Sequence, residues 1–209
     1  MPEKYLRRYT DIPSLIGMLT HGELTLLEPA TWDDKNDSYF LEQYKAKQDL
    51  ASVLALCFTR AAETYHHWRV FSPGPAGVCV WFNEDAIRAA VRRVPGLRMK
   101  PITYLKVNEI RKKTLPVSSM PFVKRYPFKP EREMRLLWES ETELRSSLPV
   151  PFPSAAIERI TLSPWLHPSL ADSLKALLKS LPECRRYKIY RSTLVGNEEW
   201  KRHGRKAGL

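Results

Sequence analysis

Two glutamates one residue apart, Glu131 and Glu133, followed by Arg135 in the segment KPEREMRLLW, are the residues whose types and spacing best suit chemistry in this chain. If Met134 to Trp138 is a short strand, side chains two apart share a face. Both carboxylates then project the same way from the extended approach to it, and Arg132 points the other way. Two like charges held close in a cationic cleft acquire well-separated proton affinities, so one can act as base or electrostatic anchor while its neighbour orients a substrate. The same spacing also fits a charged edge strand or a surface ion-pair ladder.

The surrounding charge narrows the choice of partner. From Arg88 to Arg135 there are fourteen Lys or Arg residues against three acids, a surplus of 11 that equals the formal charge of the whole 209-residue chain. Arg88, Arg92 and Arg93 belong to one candidate helix, and Arg111, Lys112 and Lys113 to a connection. Lys124 and Arg125 lie on the approach to the diacid segment, and Arg135 lies within it. If the fold gathers them, they attract polyanions by counterion release, and binding is strongly salt-dependent. RNA, DNA or a phosphate-rich ligand such as a dinucleotide answers that description, as do a solubility surface or an acidic protein partner. A second cluster, Tyr65, Trp68 and Phe71 interleaved with His66, His67 and Arg69, can stack a base or nicotinamide with arginine on phosphate, or can simply cover a sheet edge.

Other chemistries find less support. Asp33, Asp34 and Asp37 offer oxygen ligands that, with Glu131 and Glu133, would suit a metal-dependent nuclease. Their spacing is not that of a calcium loop, and capping of a following helix accounts for them together with Asn36. The five histidines form no zinc pattern, so no metal is expected. Cys57, Cys79 and Cys184 are an odd number without metal-binding spacing, and Cys57 and Cys79, set among apolar residues, read as reduced core cysteines. No glycine-rich phosphate motif and no serine-histidine-acid spacing appears. Without an apolar stretch of bilayer length or an apolar leader, the chain reads as a cytoplasmic protein with no membrane partner.

The elements that must position these groups can be placed coarsely. Tyr5 to Thr10 suits a strand, and Asp11 and Pro13 suit a helix start with Leu15, Ile16, Met18 and Leu19 as its buried stripe and Gly22 as its exit. Further strands are expected at Glu23 to Glu28, Val53 to Thr59, Gly77 to Phe82, Ile102 to Val107, Met134 to Trp138, Ile157 to Leu162 and Tyr187 to Leu194. Helices are expected from Asn83 to Val94 and after Pro164, the latter packing through Leu166, Leu170, Leu174, Leu177, Leu178 and Leu181. Four prolines between Lys106 and Glu131 exclude a long helix there and leave an ordered crossing loop able to gate a cleft. The result is one α+β domain over residues 1–194, with a basic tail, mobile or phosphate-binding, over 195–209.

The ordered combination YLRRYTD, GELTLLEPATWDDKNDSYF, LALCFT with HHWRVFSPGPAGVCVWF, and FKPEREMRLLW resembles an uncharacterised bacterial family of about this length, across most of residues 5–178. That family carries aromatic-Arg-Tyr-Ser/Thr, Gly-x-Leu, Asn-Asp-Pro-Phe and Glu-x-Glu-aromatic-Arg segments. This chain departs from it with Ser38 after Asn36-Asp37 and with Met134 in place of an aromatic residue. More distantly, the opening and the Glu-x-Glu segment resemble the ADP-ribosyltransferase superfamily.

That resemblance implies a split, mostly antiparallel mixed sheet with flanking helices, whose cleft binds NAD as cofactor. It makes Arg8, flanked by Tyr9 and Thr10, the early dinucleotide-binding residue, Glu133 the catalytic second acid and Glu131 the acid that orients the acceptor. Tyr65, Trp68 and Arg69 would then serve nicotinamide, phosphate or acceptor. The superfamily's middle-strand motif has no counterpart here. The implied activity is transfer of ADP-ribose to RNA, DNA or another macromolecule in toxicity or defence, with an antitoxin-like protein as partner. A nucleic-acid-binding module without chemistry and a metal-dependent nuclease are the alternatives. The enzyme requires Arg8 and Glu133 across one open cleft, the nuclease several acids within reach of a metal, and the module a continuous basic groove.

Overall fold

Alternating side chains in the opening segment create the central strand. The computed structural model describes residues 5–112 and 114–207, and in it β1 (Tyr5–Asp11) sends Leu6 into the main core and Tyr9 into a cluster on the opposite face. Asp11 ends the strand and starts α1 (Ile12–His21), accepting the Ser14 N–H at 2.8 Å. Gly22 closes that helix at φ 66°, a left-handed conformation that a side chain would strain. Leu15 and Met18, three apart, are buried; Ile16, expected in the same stripe, is turned to solvent.

Next come β2 (Glu23–Leu27), α2 (Lys35–Lys47), β3 (Ser52–Thr59), α3 (Tyr65–Phe71), β4 (Gly77–Asn83) and α4 (Glu84–Val91). Asp34, Thr64 and Asn83 cap the three helices with their side-chain oxygens. The expected strand at Ile102 to Val107 shortens to β6 (Thr103–Leu105), with Val107 opening the single turn α5 (Val107–Ile110), and an unexpected strand, β5 (Arg98–Pro101), precedes it. The proline-rich crossing holds two 3-10 turns, Val117–Phe122 and Tyr126–Glu131, around the short strand β7 (Val123–Arg125). After β8 (Glu133–Ser140) come β9 (Ser147–Pro151), β10 (Ile157–Leu162), α6 (Pro168–Ser180), β11 (Lys188–Arg191) and α7 (Glu198–Lys206). In α6 only Ala171 and Leu178 are buried; Leu170 and Leu177, expected to pack, are exposed.

The sheet is mixed and mostly antiparallel, in the order β11-β10-β4-β1-β3-β2-β9, with β8 also on β3 and β5 beyond it. Only β10–β11 within it is parallel; β6 and β7 form a separate parallel pair. One feature of β3 creates the site. Along one edge it pairs with β8 from Ser52↔Ser140 to Thr59↔Glu133. Along its other edge it meets β1 only at Arg7↔Thr59 and β2 only at Leu27↔Ala55. The sheet is therefore split beside Leu56, Cys57 and Phe58.

Leu54, Leu56, Phe58, Met134, Leu136 and Trp138 point into the main core. On the opposite face Val53, Ala55 and Leu137 pack with Leu41, Tyr44 and Phe122, while Tyr9 and Cys79 pack with Trp68 of α3. Two separate clusters thus cover that face. Among the described residues no helix is long and apolar enough to cross a membrane.

Candidate functional site

A cleft of about 900 Å³ opens at the split. Residues 55–59 of β3 form its floor, Arg8 to Asp11 with Val70 and Phe71 one wall, and Asp34, Asp37, Lys124, Glu131 and Glu133 the other. Arg8 spans the gap: its Nη1 donates to the Cys57 carbonyl at 2.9 Å. Among the described residues it has no carboxylate within ion-pair distance, and burial lowers its pKa against the weaker pull of Cys57 and Asp11. A half-buried cation without an anion is costly unless a ligand supplies one. Its sequence neighbour Arg7 is committed elsewhere, donating to the Ala61 carbonyl at 2.6 Å and lying 3.9 Å from the Trp81 ring centroid.

The facing wall is built by a turn that the extended reading of residues 131–133 did not foresee. The 3-10 turn ends at Glu131, and Arg132 takes the left-handed conformation, φ 45° and ψ 47°, before β8 begins. The Thr59 hydroxyl donates to the Glu131 carbonyl, and the Glu133 N–H donates to the Tyr104 hydroxyl at 2.8 Å. These contacts hold the two-residue hinge so that both carboxylates converge on Lys124. Its Nζ lies 2.8 Å from Glu131, 3.2 Å from Glu133, 3.7 Å from Asp37 and 4.0 Å from Asp34.

Arg135, with none of its side chain exposed, bonds Glu133 through Nε at 2.7 Å and Asp37 through Nη1 and Nη2 at 2.9 and 2.5 Å. Its Nη1 also donates to the Pro121 carbonyl at 2.8 Å. Burial would raise the Glu133 carboxyl, but Arg135 and Lys124 outweigh it and hold the group at about 2. For Glu131 burial wins over Lys124 and its pKa is raised. Burial and the neighbouring cations thus push the two carboxyls in opposite directions. Burial would lower Lys124, and Glu133, Glu131 and Asp37 reverse that, keeping it charged. Four carboxylates share two cations, so this wall is acidic on balance, whereas the facing wall carries Arg8 with Asp11 at the strand end.

The placement of the remaining expected residues divides sharply. Thr10 lines the cleft and its carbonyl accepts from the Ser72 hydroxyl. Tyr9 stacks on His67 at 5.5 Å, its hydroxyl buried and, among the described residues, without a hydrogen-bond partner that meets normal geometry. Trp68 cannot stack a ligand: it is fully buried, its Nε1 bonded to Glu63 at 2.7 Å, as the sheet-covering alternative required. Tyr65 and Arg69 bond each other on the outer side of α3, against Trp165, and neither lines the cleft. The aromatic side chain of that helix that does reach the cleft is Phe71. Helical spacing from Trp68 could have shown it.

The cationic residues are not gathered into one wall. Arg135 and Lys124, expected on nucleic acid, are interior charges consumed by carboxylates. Arg88 pairs with Glu84 at 2.7 Å; Arg92 and Arg93 are exposed beyond α4, whose buried residues join the main core on the other sheet face. Arg111, Lys112 and Arg125 are exposed, and none lines the cleft. Lys113 lies outside the described residues. Asp33 is exposed, and among the described residues no group of three His, Cys, Asp or Glu side chains could hold a metal; the Lys124 ammonium stands amid the other four acids.

An α+β chain whose split sheet faces one arginine toward a carboxylate cluster is thus what fold and site define. No protein-family model matches the chain, and no curated protein matches it. Among solved structures it is similar to DarT from Thermus sp. 2.9, in complex with carba-NAD+ at 12% identity, covering 92% of this chain and 97% of that one, TM-score 0.46. The complex of that protein with NAD+ gives 13% identity, coverage of 92% and 96%, and TM-score 0.46. Its complex with ADP-ribosylated ssDNA gives 13%, 91% and 94%, and 0.46.

Proposed function

We propose that this chain breaks the nicotinamide–ribose bond of NAD and transfers ADP-ribose to a nucleic acid. The observation that carries the reading is the opposition, across one cleft, of a carboxylate cluster centred on Glu133 and an Arg8 that has no carboxylate within ion-pair distance among the described residues. NAD has the complementary polarity, an anionic pyrophosphate at its middle and a cationic nicotinamide at one end. A volume of about 900 Å³ lies within the range of small-ligand sites. The pyrophosphate and the nicotinamide therefore each find opposite charge.

Bound there, NAD supplies an activated C–N bond whose breaking leaves positive character on the ribose carbon and releases nicotinamide with the bonding electron pair. Arg8 holds pyrophosphate. Glu133, ionised at every physiological pH and fixed by Arg135, stabilises the developing positive charge from a set position. Glu131, with its raised proton affinity, takes the proton from the incoming acceptor oxygen or nitrogen as the new bond to ribose forms. Phe71 provides an apolar surface on the Arg8 side of the cleft.

The test incubates the chain with labelled NAD and single-stranded DNA, RNA or total protein beside Glu133→Gln and Arg8→Ala. Label enters nucleic acid with the native chain, falls by at least about a hundredfold with Glu133→Gln, in line with loss of one electrostatic group, and loses apparent NAD affinity with Arg8→Ala. Nucleic-acid binding with no NAD binding or turnover by the native chain would instead select a non-catalytic module.

A further inference from the structure

Both carboxylates given chemical roles above already hold a cation. Lys124 Nζ lies 2.8 Å from Glu131 Oε2 and 3.2 Å from Glu133 Oε2, and Arg135 Nε holds the other Glu133 oxygen at 2.7 Å. An ammonium therefore sits at the oxygens that are to face the ribose carbon and the acceptor. A cationic centre approaching Glu133 meets that like charge in a cleft that screens it poorly.

The same ammonium has a second place to go. Asp37 Oδ2 is 3.7 Å and Asp34 Oδ2 4.0 Å from it, so a shift of about 1 Å toward either gives an ordinary hydrogen bond. The two acids differ in readiness. Both Asp37 oxygens are held by Arg135. Asp34 Oδ1 caps α2, accepting the Asn36 and Asp37 N–H groups at 3.1 and 3.3 Å, whereas its Oδ2 is buried and, among the described residues, has no hydrogen-bond partner. A buried carboxylate oxygen without a donor is costly, and the Lys124 ammonium is placed to relieve it. The carrier suits the movement. Lysine is a point charge on a flexible four-carbon stem, and β7, which carries it, pairs with β6 outside the main sheet.

We infer that Lys124 is a movable counter-ion: it pairs with Glu131 and Glu133 in the arrangement seen and passes to Asp34 as a cationic substrate arrives, uncovering the two carboxylates together. The inference rests on the transferase reading and adds a gate to it. Lys124 and Asp34 are positioning residues that act through Glu133. In the shifted arrangement the substrate's cation takes the place of the ammonium, so no buried carboxylate is left without an opposite charge.

The experiment is a double-variant cycle on nicotinamide release from NAD. It measures kcat and KM for the native chain, Asp34→Asn, Lys124→Met and the two combined, each checked by thermal melting. Asparagine keeps the Oδ1 cap and removes the charge that receives Lys124. Asp34→Asn should lower kcat/KM about tenfold. Lys124→Met should lower KM, and adding Asp34→Asn to it should change kcat/KM by less than about twofold. If Lys124→Met does not fold, Lys124→Gln serves in the same cycle. A Lys124 that is only a fixed strut makes KM rise in Lys124→Met and makes Asp34→Asn cost the same in both backgrounds; either result overturns the inference. The Lys124 ammonium is also followed directly by NMR as the N-methylnicotinamide cation, which has no glycosidic bond to break, is added. Its resonance should shift in the native chain and far less in Asp34→Asn. If the native chain releases no nicotinamide but this shift occurs, the transferase reading fails and the movable counter-ion survives. If release occurs and the cycle shows no coupling, the counter-ion alone fails. Neither release nor shift ends both.

Discussion

Arg135 joins Glu133 to Asp37, a residue 98 positions away, and this single side chain decides whether the acidic wall exists. Removing one partner from a buried ionic network leaves charge in a medium that solvates it poorly. Arg135→Met is therefore expected to cost about 3–5 kcal/mol in urea unfolding. The pH dependence has a defined sign. Glu133 is depressed to about 2, so its contribution is complete above the ordinary carboxylate range and is lost as pH falls from there through about 2. Thermal melting followed over that window should show a steeper acid limb in the native chain than in Glu133→Gln. Composition and spacing placed the two glutamates together and made Arg135 a solvent-facing cation. They could not do better, because an arginine becomes interior only when distant carboxylates such as Asp37 pay for its desolvation, and no local pattern records that partner.

At the scale of elements, local signals worked where one strand or cap was self-sufficient. Asp11, Asp34 and Asn83 cap the helices they precede, and the apolar runs of β3, β4 and β10 are strands. Short or proline-bearing pieces were harder. β9 contains Pro149 and Pro151 and survives because it lies at the sheet edge, on β2, while β5 exists through its pairing with β8. The tail expected to be loose forms α7, capped by Asn197 and carrying Glu198–Lys201 and Glu199–Arg202 pairs, none of its side chains buried. The cleft wall offers a sharper test at this level. Ser72 ends α3, donates to the Thr10 carbonyl and accepts the Val78 N–H, so it ties that helix to β1 and β4. A Cβ on Gly77 would meet the Ser72 carbonyl oxygen at 2.5 Å and its Oγ at 2.6 Å. Backbone must move to relieve that, so Gly77→Ala should lower stability by about 1–3 kcal/mol. It should also displace Phe71 enough to weaken NAD binding in calorimetry, where Gly17→Ala, in open space on α1, should not.

For the whole molecule, the surplus of 11 charges between Arg88 and Arg135 suggested one cationic wall, and folding disperses it. Lys124 and Arg135 are spent on carboxylates, Arg88 shares Glu84 with Arg60, and Arg92 and Arg93 do not line the cleft. Arg111, Lys112 and Arg125 remain exposed, with Lys106 and Lys129, along the crossing that leads to β8. The count of cations in a sequence is thus an upper bound on ionic phosphate contacts alone, because ion pairing is a property of the fold. The salt dependence of single-strand binding measures how many cations remain available. Each phosphate neutralised contributes about 0.7 to the slope of log K against log salt on a single strand. Replacing Arg125 by Ala should therefore lower that slope by about 0.7, and the paired Arg92→Ala, Arg93→Ala variant should leave it where it was. Equal losses in the two variants would mean that the phosphate path runs over α4 and that the crossing loop does not guide the strand toward Glu133.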